Sequence, residues 1–68
     1  MSEIEQGQRI LGVLRKHGEL FTKEIAKLAN LSSSTTAKYL GLLERDGKVL
    51  MREQKPFKYW KLNKEEKN

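Results

Sequence analysis

A chain of 68 residues holds one domain and no second, and at that size the hydrophobic core alone yields only marginal stability. It has no cysteine and a single histidine, His17, which excludes a disulfide frame and a zinc site and leaves no nucleophile-base pair, so no enzyme, metal or cofactor is expected. Its 14 Lys and Arg against 9 Asp and Glu give a net charge of +5, and its opening MSEIEQGQRI lacks the apolar core of a leader, so the expectation is an intracellular chain without a membrane partner.

The charge is unevenly placed. Through Leu31 there are 5 basic and 4 acidic residues; from Ser32 to Asn63 there are 7 and 3. One-sided positive charge is what a binder of polyanions needs to attract phosphates.

In chain order, Ser2-Glu3-Ile4-Glu5 has the form of a capping box, and Ile4, Ile10, Leu11 and Leu14 recur at helical spacing until His17-Gly18 closes the pattern. Val13 widens this arc, enough to touch several elements or a second copy, while Gly7 and Gly12 weaken the helix locally. His17, at the helix end, suits the dipole there. Glu19-Leu20-Phe21 is long enough only for a bridging strand. Thr22 is then expected to cap a second helix over Lys23 to Ala29, closed by Asn30, which tolerates the left-handed conformation. Leu31 should bury at the corner and Ser32 should cap a third helix at once. Helices joined by so short a turn cross steeply, which is helix-turn-helix geometry.

The third helix is expected over 33–46, with Thr36, Leu40 and Leu43 in a narrow buried arc and Gly47 as its terminator. Ser34, Lys38, Gly41 and Arg45 fall opposite. Two strands follow, Lys48 to Glu53 and Lys58 to Leu62, separated by Gln54-Lys55-Pro56-Phe57, since proline cannot donate a ladder bond. Trp60 and Leu62 share the inward face; Tyr59 and Lys61 point away. The domain therefore spans 1–63, with 64–68 a charged, disordered tail.

The stretch LSSSTTAK at 31–38 carries more hydroxyls than a cap needs. Such clusters commonly serve only as caps and loop filler, but a helix N-terminus also favours phosphate, and short hydroxyls let it approach a groove closely. Ser33, Ser34, Thr35 and Ala37 are therefore expected at DNA, with Lys38 reaching a guanine edge or a phosphate and Arg45 further along the same face. Gly41 costs the helix about 1 kcal/mol relative to alanine, a cost explained if another backbone approaches there. Thr22 and Lys23, at the start of the second helix, and Lys55, Phe57 and Lys58, where charge and aromatics interleave, complete the expected contact set.

LSSSTTAKYLGLLERDGKV resembles the recognition helices of winged helix-turn-helix proteins, especially MarR/ArsR-like transcriptional regulators. Leu31, Ser32, Ser34, Thr35, Lys38 and Leu40 match their pattern; Thr36 and Ala37 depart from it mildly. The likeness runs from Gln8 to Leu62 and ends in Tyr59-Trp60-Lys61-Leu62, which resembles the wing's closing strand. It implies an α+β, mostly α fold: three helices, a short strand between the first two, and a C-terminal β-hairpin wing. A second resemblance, through Gln8-Arg9-Ile10-Leu11 and the span from Gly47 through Pro56 to Trp60, is to the Z-form-nucleic-acid-binding domain of an RNA-editing deaminase. The asparagine and tyrosine which that domain uses in its third helix fall on Ala37 and Gly41, and Tyr39 lies on a different face, so Z-form recognition is not expected.

The expected function is that of a double-stranded DNA-binding protein, a small stand-alone transcriptional regulator that is cytoplasmic or nucleoid-associated. Helix 33–46 would enter the major groove and wing 53–58 would lie on the adjacent backbone or minor groove. One module reads few base pairs, which points to a homodimer joined through the first helix or an exposed Leu42. The alternative is a winged-helix protein-interaction module that does not touch DNA.

Overall fold

The computed structural model describes residues 3–64, with side chains from Glu5 onward; the expected capping box at Ser2 and the tail at 65–68 lie outside the described residues. Three helices, α1 (Glu3–His17), α2 (Thr22–Ala29) and α3 (Ser33–Arg45), precede a hairpin of β2 (Val49–Gln54) and β3 (Phe57–Leu62), and β1 (Leu20–Phe21) sits between α1 and α2. The sheet is antiparallel in the order β1-β3-β2. This is the architecture anticipated above.

Each helix contributes one apolar stripe to a common core. Ile10, Leu11 and Leu14 of α1 meet Ile25 and Ala29 of α2 and Tyr39, Leu40 and Leu43 of α3, and Val49 and Trp60 close the core from the sheet. Full burial of a side chain such as Ile10, Ile25 or Leu40 is worth about 1.5–3 kcal/mol, so these few residues carry most of the stability available to a chain this short. Thr36 is fully buried as expected, and its hydroxyl has no hydrogen-bond partner among the described residues. Tyr39 joins it inside, so the buried arc of α3 is broader than expected, and Leu42 is half-buried rather than exposed.

The helix ends follow their residues. Asn30 adopts φ 60°, ψ 46°, and N–H groups of Asn30 and Leu31 return to the carbonyls of Lys27 and Ala26, closing α2 in a Schellman motif. Gly47 does the same for α3 at φ 78°, with its own N–H on Glu44 O and that of Lys48 on Leu43 O. The Arg9 guanidinium donates to Ala29 O at 3.2 Å, satisfying a terminal carbonyl of α2 from α1.

Several boundaries differ from expectation, among them the starts of β1 at Leu20 rather than Glu19 and of β2 at Val49 rather than Lys48. Helix α2 begins at Thr22 itself, because Phe21 takes the cap position in extended conformation and its N–H donates to Glu24 Oε1 at 3.1 Å. Helix α3 ends at Arg45, with Asp46 as its cap. The wing loop is shorter than 54–57: Gln54 pairs with Phe57, leaving only Lys55 and Pro56, joined by a cis bond, in the turn. Proline sits outside the ladder, so both strands extend to its edge without losing a bond.

Register sorts the sheet into two faces. Leu20, Met51 and Trp60 stand opposite one another toward the helices, and Phe21, Arg52 and Tyr59 stand opposite one another on the far side. Leu40→Ala should cost about 2–5 kcal/mol in a denaturant titration, whereas Leu28→Ala, at 48% exposed, should stay within about 0.5 kcal/mol. Similar losses for the two would place the core elsewhere.

Candidate nucleic-acid interface

The start of α3 is built by Ser32. In extended conformation, its hydroxyl accepts the N–H of Thr35 at 3.1 Å, and its carbonyl accepts that of Thr36 at 2.9 Å. Helix geometry gives the N–H groups of Ser33 and Ser34 no carbonyl to bond, and no acidic residue lies in this first turn to offset the positive end of the dipole. Ser33, Ser34, Ala37, Lys38, Gly41 and Arg45 are all exposed, and Thr35 is half-buried. Burial of Thr36, Leu40 and Leu43 on the opposite side holds these residues toward solvent. Lys38 leans on its neighbour, its Nζ 5.6 Å from the centre of the Tyr39 ring. A Cβ added at Gly41 would meet nothing within 4 Å, so nothing in the chain's own packing requires glycine there.

A second cluster lies where α2 meets the wing. Lys23, Phe57 and Lys58 line an open cleft of about 380 Å³ with Phe21, Thr22 and Pro56. Thr22 does not turn its hydroxyl outward. The oxygen accepts from Trp60 Nε1 at 2.9 Å and donates to Lys58 O at 3.5 Å, fastening the wing's second strand to the first turn of α2. Lys55 is exposed at the turn. Phe57 is 45% exposed and belongs to the far face of the sheet, its ring centre 5.0 Å from that of Phe21.

Sequence reasoning passed over Arg52 and Glu19. Arg52 donates to both carboxylate oxygens of Glu19, at 3.2 Å and 3.1 Å, bracing β2 against the start of β1. The hydrogen bond from Arg52 holds the Glu19 carboxyl below its ordinary range and in turn raises the guanidinium. The partners lie 33 residues apart, a separation that no local pattern reveals. The sequence marks Phe21 only as the end of a strand; its shared face with the wing aromatics depends on the pairing of β1 with β3.

A model of winged helix-turn-helix DNA-binding domains matches residues 5–49, from α1 into the first residue of β2. The chain belongs to the winged helix-turn-helix DNA-binding family. This winged helix is similar to the Zα domain of PKZ from Carassius auratus, solved in complex with Z-DNA: the two share 31% identity and a TM-score of 0.84 over 91% of this chain and 98% of that one. It is also similar to the transcriptional regulator HlyU from Vibrio vulnificus, at 33% identity and a TM-score of 0.79 over 90% of this chain and 62% of the regulator. The Zα domain of zebrafish PKZ, solved without ligand, aligns at a TM-score of 0.85 and 28% identity, over 93% of this chain and 98% of that domain. None of the curated proteins matches the chain. Among the described residues of this winged helix, no group of three or more His, Asp or Glu is placed to hold a metal, and no helix is long and apolar enough to cross a membrane.

Thr22→Val keeps the shape of the side chain and removes the acceptor for Trp60. The indole N–H is then left unpaired, and denaturant titration should record a loss of about 1–3 kcal/mol together with a shift in Trp60 fluorescence. An unchanged midpoint and spectrum would mean that the wing is not held there.

Proposed function

We propose that this winged helix docks on right-handed duplex DNA as a transcriptional regulator, with the first turns of α3 in the major groove and the wing on the neighbouring backbone. The observation that carries this reading is the uncovered N-terminus of α3, where free N–H groups and two exposed serines lie one turn from exposed Lys38 with no acidic residue in the first turn. Ser33, Ser34 and Thr35 would bond phosphates or base edges, and Ala37 and Gly41 would let the helix axis lie close. Lys38 would select a base while Arg45 neutralises phosphate farther along. Lys23, Lys55 and Lys58 would follow the backbone from α2 and the turn, and Thr22 acts by holding the wing in place.

The solved complex of the Carassius auratus domain with Z-DNA makes the left-handed form the natural competitor. At Ala37 and Gly41, where the resemblance to the Z-form-binding domain of an RNA-editing deaminase places that domain's asparagine and tyrosine, this chain has neither a side-chain donor nor a ring. That absence favours the right-handed duplex. Two copies on a pseudo-palindrome would supply the specificity that one module lacks, meeting through the apolar groove that Gly7, Leu11 and Leu42 line between α1 and α3. A cytoplasmic or nucleoid location follows from that role.

Binding to a mixed-sequence duplex should weaken steeply with salt, each neutralised phosphate adding about 0.9 to the logarithmic slope. Selection from random duplexes should show that Lys38→Ala relaxes preference at one position, whereas Lys55→Ala weakens all sequences alike and lowers the salt slope by about 1. Identical behaviour of the two variants, or a flat salt titration, would overturn the docking.

A further inference from the structure

The far face of the sheet, turned away from the helices, carries an aromatic and guanidinium surface that duplex docking through α3 does not use. Phe21, Phe57 and Tyr59 form a closed triad, with ring centres 5.0, 5.9 and 6.4 Å apart and all three pairs tilted or edge-on. Phe57 is propped by the other two and yet 45% exposed, and neighbouring rings fix its orientation. Arg52 lies over Tyr59, its guanidinium carbon 4.7 Å from the ring centre. Its Nε and Nη2 are tied to Glu19 and its Nη1 to Gln54 Oε1 at 2.6 Å.

Those bonds lie in the plane of the guanidinium. The guanidinium carbon sits 4.7 Å from the centre of the Tyr59 ring, and about half of the side chain remains exposed. A guanidinium tied at all three nitrogens over one ring, with an exposed phenyl ring on the same sheet face, is a stacking platform with little left to order on binding. The surface is continuous with the wing, since Phe57 also lines the cleft with Lys23 and Lys58. Lys61 shares the far face with Tyr59 by strand parity, and Lys55 stands at the turn, so a polyanion crossing this face meets positive charge beyond the neutralised Arg52-Glu19 pair.

We infer that this face stacks an unpaired base of a DNA strand that leaves the duplex beside the wing, with Phe57 and half-exposed Arg52 as the platform. The domain would then favour duplex ends and junctions carrying a single-stranded extension over an uninterrupted duplex. A polar peptide is a poorer occupant, because three of the five N–H groups of Arg52 are already engaged by Glu19 and Gln54 and exposed Phe57 offers only a flat π-face.

The test compares the full chain, by fluorescence anisotropy, on one blunt hairpin duplex and on the same hairpin with a short extension of either polarity, normal or abasic. A normal extension of at least one polarity should bind about 5- to 150-fold more tightly than the blunt hairpin, the range set by stacking one base, and a 2-aminopurine within it should be quenched. The abasic extension should gain little. Arg52→Lys keeps the charge and removes the plane, and Tyr59→Thr removes the support; both should lose the gain while retaining blunt-duplex affinity. The inference is overturned by equal binding of blunt and extended hairpins, by a gain that the abasic strand reproduces, or by a gain that survives both substitutions. Self-association abolished by Tyr59→Thr, without any preference for extensions, would assign the face to a second copy instead. Failure of any of these leaves blunt-duplex binding, and hence the docking of α3, unaffected.

Discussion

The turn between α2 and α3 is the constraint on which the rest depends. Asn30 ends one helix in the left-handed conformation and Ser32 begins the next, so Leu31 alone connects the two. A link of one residue leaves almost no freedom in how the helices cross. Burial then settles the rotation of α3 about its own axis: Leu40 and Leu43 face the core, and the serines with Lys38 are left outside. The magnitudes show which effect leads. A serine cap contributes about 1 kcal/mol, less than the burial of a single leucine, so the core orients α3 and the cap decides where it starts. Thr36 is a further instance, since the packing keeps inside a hydroxyl with no partner among the described residues, at a cost of about 1–3 kcal/mol.

The wing is positioned by a separate pair of devices. Thr22 joins Trp60 to α2 on the inner side of the sheet, and the Arg52-Glu19 pair braces β2 against β1 on the outer side. The inner bond matters more for the fold, because it satisfies an indole N–H on a ring only 5% exposed. The outer pair is solvent-exposed and adds little stability. Its structural effect is orientation: it holds the Arg52 guanidinium over the Tyr59 ring. The wing thereby separates its two faces, one packed on the helices and one presenting aromatic surface.

Much of this was legible in the residues because the informative signals were local. Asn30, Ser32 and Gly47 act on their own backbone, and the period of Thr36, Leu40 and Leu43 requires no partner to be read. The misreadings arose where the deciding contact is distant. Thr22 looked like a cap because threonine often is one, yet its hydroxyl is committed to Trp60, 38 residues away. Gln54 and Phe57 looked like loop because Pro56 lies between them, but a turn of two residues lets them pair. Nothing local singles out Arg52 within its strand, and only the fold places Tyr59 opposite it and Glu19 beside it.

In the proposed docking, the N-terminal turns of α3 form the surface that meets DNA. Backbone amide shifts followed by NMR as a mixed-sequence duplex is added would test it most directly. The largest changes are expected at Ser33, Ser34, Thr35 and Lys38, with a second group at Lys23, Lys55 and Lys58. Changes confined to Gly7, Leu11 and Leu42, with 33–38 silent, would contradict it.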